Sequence, residues 1–241
     1  VPIDNYMIAG GQALQHLECI RRDYPITFHG VGMSLGSVDP LNTNYLRRLR
    51  QLLRRFEPAW LSDHLCWTSV DGHYLHELLP LPYVDEAVQH VSRRIREVQD
   101  FLGRRLLIEN VSSYLQFTHS HMQEWEFLAA VAEAADCDIL LDINNIHVSA
   151  SNHRFDARHY LDALPLARVR ELHLAGYEDC GTHLLDTHGA PVHEPVWTLY
   201  RQALARFGAL PTLIEWDNAI PPLPVLQAEA ARAQRYLDEA G

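Results

Sequence analysis

The chain has no pair of cysteines at metal or redox spacing: Cys19, Cys66, Cys137 and Cys180 are dispersed, with no CxxC among them. That excludes a small disulfide-stapled fold and fits reduced thiols in a cytoplasm. The sequence also lacks an apolar stretch long enough to cross a bilayer, and it has no basic-then-apolar leader. Neither a membrane span nor a secretory signal is therefore expected. Positive charge is short too: 20 Lys plus Arg stand against 31 Asp plus Glu, a net charge of −11 at pH 7. Such a field repels polyanions and argues against nucleic acid as a partner. The arginines that do cluster, Arg47, Arg48, Arg50, Arg54 and Arg55, share one helical stretch and read as a solvated face. No glycine-rich phosphate cradle of the nucleotide type follows any apolar run.

What the chain has in quantity is histidine, 15 residues, and short apolar runs that end in ionisable side chains. In Ile139-Leu140-Leu141-Asp142-Ile143-Asn144-Asn145, three apolar residues run without alternation into a carboxylate and then two amides. This is the pattern of a strand buried on both faces whose C-terminal end carries polar chemistry. It recurs at Ile26-Thr27-Phe28-His29, Trp60-Leu61-Ser62-Asp63-His64, Leu106-Leu107-Ile108-Glu109-Asn110, Glu171-Leu172-His173-Leu174 and Thr212-Leu213-Ile214-Glu215-Trp216. Mostly helical sequence separates these runs. The expected fold is α/β, a TIM-like (β/α)8 barrel forming one domain over residues 1–241, in which strand ends converge on one mouth.

Six strand units are legible where a closed barrel needs eight. Val1 to Tyr6 reads as the tail of a further strand, and the first residue is Val rather than Met. One N-terminal strand or more is thus expected to be missing or truncated. Between the strands we expect a helix from Gln12 to Arg22 and a glycine-bearing loop from Gly30 to Ser37. A helix capped by Asp39 with Pro40 at its first position comes next. A long loop, Leu65 to Val84, reads as a lid or binding wall. Further helices are expected from Asp85 to a stop at Gly103, over 123–135, 157–164 and 195–207, and from Leu223 to Ala240. The segment from Gly176 to Glu194 has no clean period.

His29, His64, Glu109, Asp142, His173 and Glu215 all fall at predicted strand ends. So many ionisable side chains aimed into one cavity need compensating positive charge, which metal ions supply. Mixed imidazole and carboxylate ligands suit zinc, iron or manganese. Asp186 and His188 add a pair whose alternate spacing on an extended loop can grip one ion. Asn145, three residues past Asp142, is an amide ligand candidate at the same mouth. His73, His76, His147, His183 and His193 lie near the mouth as wall candidates, and the remaining histidines read as ordinary surface or core residues. Cys66 reads as a small buried thiol.

The blocks His29-Gly30-Val31-Gly32-Met33-Ser34-Leu35-Gly36, Ser62-Asp63-His64-Leu65, Glu109-Asn110-Val111-Ser112-Ser113-Tyr114, Leu141-Asp142-Ile143-Asn144-Asn145, Glu171-Leu172-His173-Leu174-Ala175-Gly176, Asp186-Thr187-His188-Gly189 and Ile214-Glu215-Trp216-Asp217 together resemble those of a known family. It is the DUF692 (UPF0276) family of multinuclear non-haem iron-dependent oxidative enzymes, which includes the methanobactin-biosynthesis oxidase. The resemblance runs over nearly the whole chain. It implies a TIM-like barrel with two or three iron ions that oxidises cysteines of a ribosomally made precursor peptide, often beside a partner protein that presents the peptide. On this basis His29, His64 and Glu109 are expected to hold one iron, and Asp142, His173 and Glu215 a second, with Glu109 bridging. Asn145, Asp186 and His188 would form a third position, and Glu109, Asp142 and His173 are the expected catalytic residues. The ligand order also resembles endonuclease IV and xylose-isomerase-like barrels, which leaves a zinc or manganese hydrolase or isomerase as the alternative. Asn145 stands where the endonuclease pattern has histidine. A family Glu-Asn-Tyr near the second strand reads Asp4-Asn5-Tyr6 here.

Overall fold

A computed structural model describes all 241 residues. Contacts gather them into two compact units, Val1–Leu81 with Asp85–Glu109 and Val131–Asp138, and Pro82–Val84 with Asn110–Ala130 and Ile139–Gly241.

In the first unit the chain runs through α1 (Gln12–Asp23), β1 (Phe28–His29), α2 (Thr43–Phe56), β2 (Leu61–His64), β3 (Trp67–Val70), β4 (His73–Leu79), α3 (Asp85–Leu102) and β5 (Leu107–Glu109). β1, β2 and β5 pair in parallel, with His29 opposite Ser62 and His64 opposite Glu109. That register brings their polar C-terminal residues level. Leu46, Leu49, Leu52, Leu53 and Phe56 of α2 form its buried stripe, and the Phe56 ring meets Phe28 edge-on at 5.9 Å. Each such side chain contributes about 1.5–3 kcal/mol by leaving water.

The second unit contains the start of α4 (Glu124–Ala135), most of β6 (Asp138–Asp142), α5 (Ile143–His153), α6 (Ala157–Ala163), β7 (Val169–Leu174), β8 (Glu178–Asp179), β9 (Leu184–Leu185), α7 (Glu194–Phe207), β10 (Thr212–Ile214) and α8 (Leu223–Ala240). β6, β7 and β10 are parallel, with Asp142 opposite His173. Within each unit the order of the parallel strands follows the chain order. β5 and β6 are buried at every residue, as expected of strands covered on both faces. Arg232 of α8 grips Glu194 at the start of α7 with two bonds of 2.7 and 2.8 Å.

Several local expectations are corrected. Of Val1–Tyr6, only Pro2 bridges to His29 in strand fashion, and Ile3–Tyr6 closes into a 3-10 turn. Asp39 does not cap α2. Asn42 does, accepting from the backbone N–H of Asn44 and Tyr45 at 3.1 Å each, while the Asp39 carboxylate accepts from Asp71 and Gly72. The segment from Leu65 to Val84 is no open loop but mainly the β3–β4 hairpin. Its turn residues Asp71 and Gly72 both have positive φ (51° and 74°), the type I′ geometry that Asp-Gly favours. α5 was not expected, because its asparagines and serines are weak helix formers. The Asp142 cap and burial on nearly every face hold it instead. The aperiodic stretch after Gly176 contains the short β8–β9 hairpin.

At the head of α4, half-buried Glu124 accepts from the Tyr160 hydroxyl at 2.9 Å and is bonded to Tyr83 as well. Burial pushes its carboxyl from 4.5 up to about 7 against the pull of both tyrosines. The folded state therefore holds a proton that the unfolded chain has released, so stability falls as pH rises from about 4.5 to about 7. Glu124→Gln should remove this dependence. Urea midpoints of both proteins at about pH 5 and about pH 8 should show the wild type losing up to about 3 kcal/mol more than the variant. Parallel losses would refute the assignment.

Candidate metal centre

In the first unit three strand ends bring three ligand atoms together. His29 Nε2 and His64 Nε2 lie 3.3 Å apart, and Glu109 Oε2 lies 3.1 Å from the first and 3.3 Å from the second. The far side of each ring decides what these atoms carry. His64 Nδ1 sits 3.1 Å from the Gly30 carbonyl, which only accepts, so this nitrogen holds the ring proton. His29 Nδ1 is 2.8 Å from Ser62 Oγ, whose own hydrogen goes to the Phe28 carbonyl at 3.3 Å; His29 Nδ1 must therefore donate. Both neutral rings thus turn a lone pair toward the Glu109 carboxylate. A proton on one of the three groups or a cation among them must balance these lone pairs. Donors each about 2.1 Å from one ion stand roughly 3.0–3.4 Å apart, for right-angled and tetrahedral arrangements. The spacing fits a metal.

The glycine loop after β1 is built around this trio. A Cβ on Gly32 would come within 2.5 Å of the Tyr45 ring, so only glycine lets the backbone pass. Asp63, beneath it, accepts from Met33 N at 3.1 Å and His64 N at 2.7 Å. Burial pushes the Asp63 carboxyl up to about 7, although His64 pulls the other way.

In the second unit Asp142, His173 and Glu215 place ligand atoms within 4.8 Å of one another. His173 Nδ1 is 3.1 Å from Glu215 Oε2. Asn110 locks the end of β6 like a short strand, accepting from Asp142 N at 2.9 Å and donating to its carbonyl at 3.0 Å. Asp142 also caps α5 by accepting from Asn145 N at 2.6 Å, where the helix N-terminus favours a carboxylate. Asn145 donates its amide to the Asn110 carbonyl, which leaves its buried Oδ1 without a hydrogen-bond partner and suited to ligate a cation.

Asp186 and His188 do meet, His188 Nε2 lying 2.8 Å from Asp186 Oδ1. Asn144 and Ser112 hold the Asp186 carboxylate at 2.8 and 3.1 Å. Asp217 was not foreseen: its carboxylate lies 3.1 Å from His188 Nδ1, and Glu215 stands 3.5 Å from the same atom. Burial lowers the His188 pKa, but Asp186 and Asp217 outweigh it and push it up to about 12. The alternate spacing of Glu215 and Asp217 was the available signal, since such residues share a face of extended chain. Ser62, Asn110, Ser112 and Asn144 were likewise not singled out, because orienting residues carry no spacing of their own.

Among the histidines set aside, His90 bonds the Ser37 carbonyl at 2.8 Å and His153 meets Ser113 Oγ at 2.7 Å. His147 and His193 flank the Tyr177 ring at 5.2 and 4.0 Å. Cys66 is buried, and burial raises its thiol pKa well above the ordinary value.

Residues 1–238 match the family model described as RiPP precursor modification enzyme MbnB/TglH/ChrH. A UPF0276 protein of Acaryochloris marina is 59% identical over 234 residues, covering 97% of this chain and 84% of the relative. Another from Anaeromyxobacter sp. is 56% identical over 230 residues, 95% of this chain and 81% of that one. Among solved structures, endonuclease IV from Thermus thermophilus aligns with a TM-score of 0.62 at 17% identity, over 97% of this chain and 84% of its own. L-ribulose 3-epimerase aligns at 0.63 with 13% identity, over 96% and 82%. These likenesses establish the TIM-like α/β class that the strand and helix alternation predicts.

Ser62→Ala removes the acceptor that orients His29. Metal affinity should fall roughly 10- to 100-fold, read by chelator competition on the purified protein. Unchanged affinity would mean that His29 is no ligand. In metal-free protein, nitrogen-15 spectra should show both His188 ring nitrogens protonated from about pH 6 to about pH 9, and a neutral ring at about pH 8 would refute the carboxylate clamp.

Proposed function

Because the chain belongs to the family of RiPP precursor modification enzymes MbnB/TglH/ChrH, we propose that it is a multinuclear iron enzyme that uses O2 to oxidise cysteines of a ribosomally made precursor peptide. The observation that carries the reading is the trio His29, His64 and Glu109, whose facing acceptors call for a cation at the end of three adjacent strands. We assign these to one ion, Asp142, His173 and Glu215 to a second, and Asn145, Asp186 and His188 to a third. Bound iron would supply one-electron redox chemistry and would acidify a coordinated thiol.

The protein's own residues fix the rest. Gly30 and Ser62 hold the two imidazoles in the tautomer that leaves Nε2 open. Asn110 and Asn145 keep Asp142 aimed from the end of β6. Asp186 and Asp217 clamp His188 beside Glu215, and the ring would release one proton on ligating the third ion. Glu109, Asp142 and His173, the most deeply buried of the ionisable ligands, are the residues we place at the reaction. The β3–β4 hairpin, with Tyr74 and Leu75 exposed, offers the peptide a wall next to His64. A partner that presents the peptide and a cytoplasm that keeps cysteines reduced complete the proposal. No helix is long and apolar enough to cross a membrane.

Endonuclease IV and the epimerases share the fold alone, and the net charge of −11 gives a DNA backbone no attraction. The test is metal-specific. Iron-loaded protein should consume O2 and remove hydrogen from a cysteine-containing precursor peptide, seen by mass, while the cysteine-to-serine peptide stays unchanged. Activity restored by zinc and not by ferrous iron would overturn the proposal.

A further inference from the structure

Arg94, on α3, is the one arginine among the buried residues, only 4% exposed. Its Nε donates to the Leu35 carbonyl at 2.9 Å, Nη1 to the Asp39 carbonyl at 2.6 Å and Nη2 to the Ser34 carbonyl at 3.2 Å. These bonds use three of its five N–H groups, and every acceptor is neutral. The two acids that act on it do so only through space. Glu97 pairs with Arg93 at 2.7 Å, and the Asp39 carboxylate accepts from Asp71 N and Gly72 N at 2.9 and 3.0 Å. Buried charges in folded proteins are normally paired directly, whereas this one is hydrogen-bonded only to neutral carbonyls.

Arg94 lines a cavity of about 400 Å³ together with Ser34, Ser69, Asp71 and Tyr74. Ser34 is as buried as Arg94. Its Oγ accepts from Thr68 N at 2.9 Å and Ser69 N at 3.2 Å, so its own hydrogen remains to be given. The walls are the glycine loop and the β3–β4 hairpin, the segments that leave His29 and His64. Tyr74 donates to the Gly32 carbonyl at 3.2 Å and ties one wall to the other. The cavity is preformed and close in the chain to two ligand residues, and of its buried side chains Arg94 and Ser34 still have hydrogen to give, while that of Ser37 goes to the Ser69 carbonyl.

We propose that this cavity binds one carboxylate of the peptide substrate, on the two unspent N–H groups of Arg94 and the hydroxyl of Ser34. The proposal rests on the peptide reading above. Asp39 and Asp71 at the rim repel a second negative charge, so a monoanion suits the cavity better than a phosphate. The carboxylate comes from a glutamate or aspartate side chain near the reacting cysteine or from the peptide C-terminus.

The probes are fluorescein-labelled heptapeptides with one cysteine, scanned with glutamate or glutamine at every other position and with the C-terminus free or amidated. Binding to the metal-loaded full chain is read by anisotropy without oxygen. One carboxylate should tighten binding roughly tenfold over its neutral counterpart, and the arm in which it does so identifies its source. Arg94→Gln should lose that margin and Arg94→Lys keep part of it, because a point charge replaces the fork. Equal affinities within every pair on the wild-type protein would overturn the subsite, whether or not the variants fold. Mass analysis after admitting air reads the other question. Carboxylate preference without cysteine oxidation supports the subsite and overturns the oxidase reading; oxidation without preference does the reverse.

Discussion

Two imidazole lone pairs and a carboxylate oxygen, gathered within 3.3 Å with the ring protons committed elsewhere, are the constraint on which the first unit depends. Such a cluster is repulsive unless a proton or a cation comes between its members. It persists because Gly30 and Ser62 hold the rings from behind, and those residues are held in turn by the register of β1, β2 and β5. Local conflict of this kind is what a binding site for a cation stores before the cation arrives.

The second unit solves a related problem with different means. Its carboxylates are not aimed by strand register alone. Asp142 is fixed by a helix N-terminus and an asparagine that imitates a neighbouring strand, and Asp186 by an amide and a hydroxyl. His188 lies between two acids and carries their balancing charge. One unit therefore presents ring nitrogens whose far sides are already hydrogen-bonded, while the other holds a ring clamped between two carboxylates.

The parallel strands were legible because strands buried on both faces spell uninterrupted apolar runs, and their polar ends stood out against that background. All six strand-end residues expected from the sequence lie within one residue of the ends of those strands. What escaped was set by tertiary context. The β3–β4 hairpin looked like a loop because its β4 residues are mostly exposed and so show no apolar alternation. Helix α5 was hidden because burial, rather than helix propensity, selects its residues. Asn42 displaced Asp39 as a cap because the side chain of Asp39 has the hairpin turn to hold. Ser62, Asn144 and Asp217 act through other side chains, which no linear spacing records.

That hairpin turn carries a further implication. Asp71 and Gly72 form a two-residue tip, and the Asp39 carboxylate fastens their backbone N–H groups. Both strand ends below the tip are anchored separately, Ser37 binding the Ser69 carbonyl and Trp67 binding that of Pro80. A change in the length of the tip would therefore be absorbed above these anchors and would not be transmitted to His64. Lineages of this fold can thus lengthen or shorten the hairpin tip while inheriting the strand ends intact, so that the two parts evolve at separate rates.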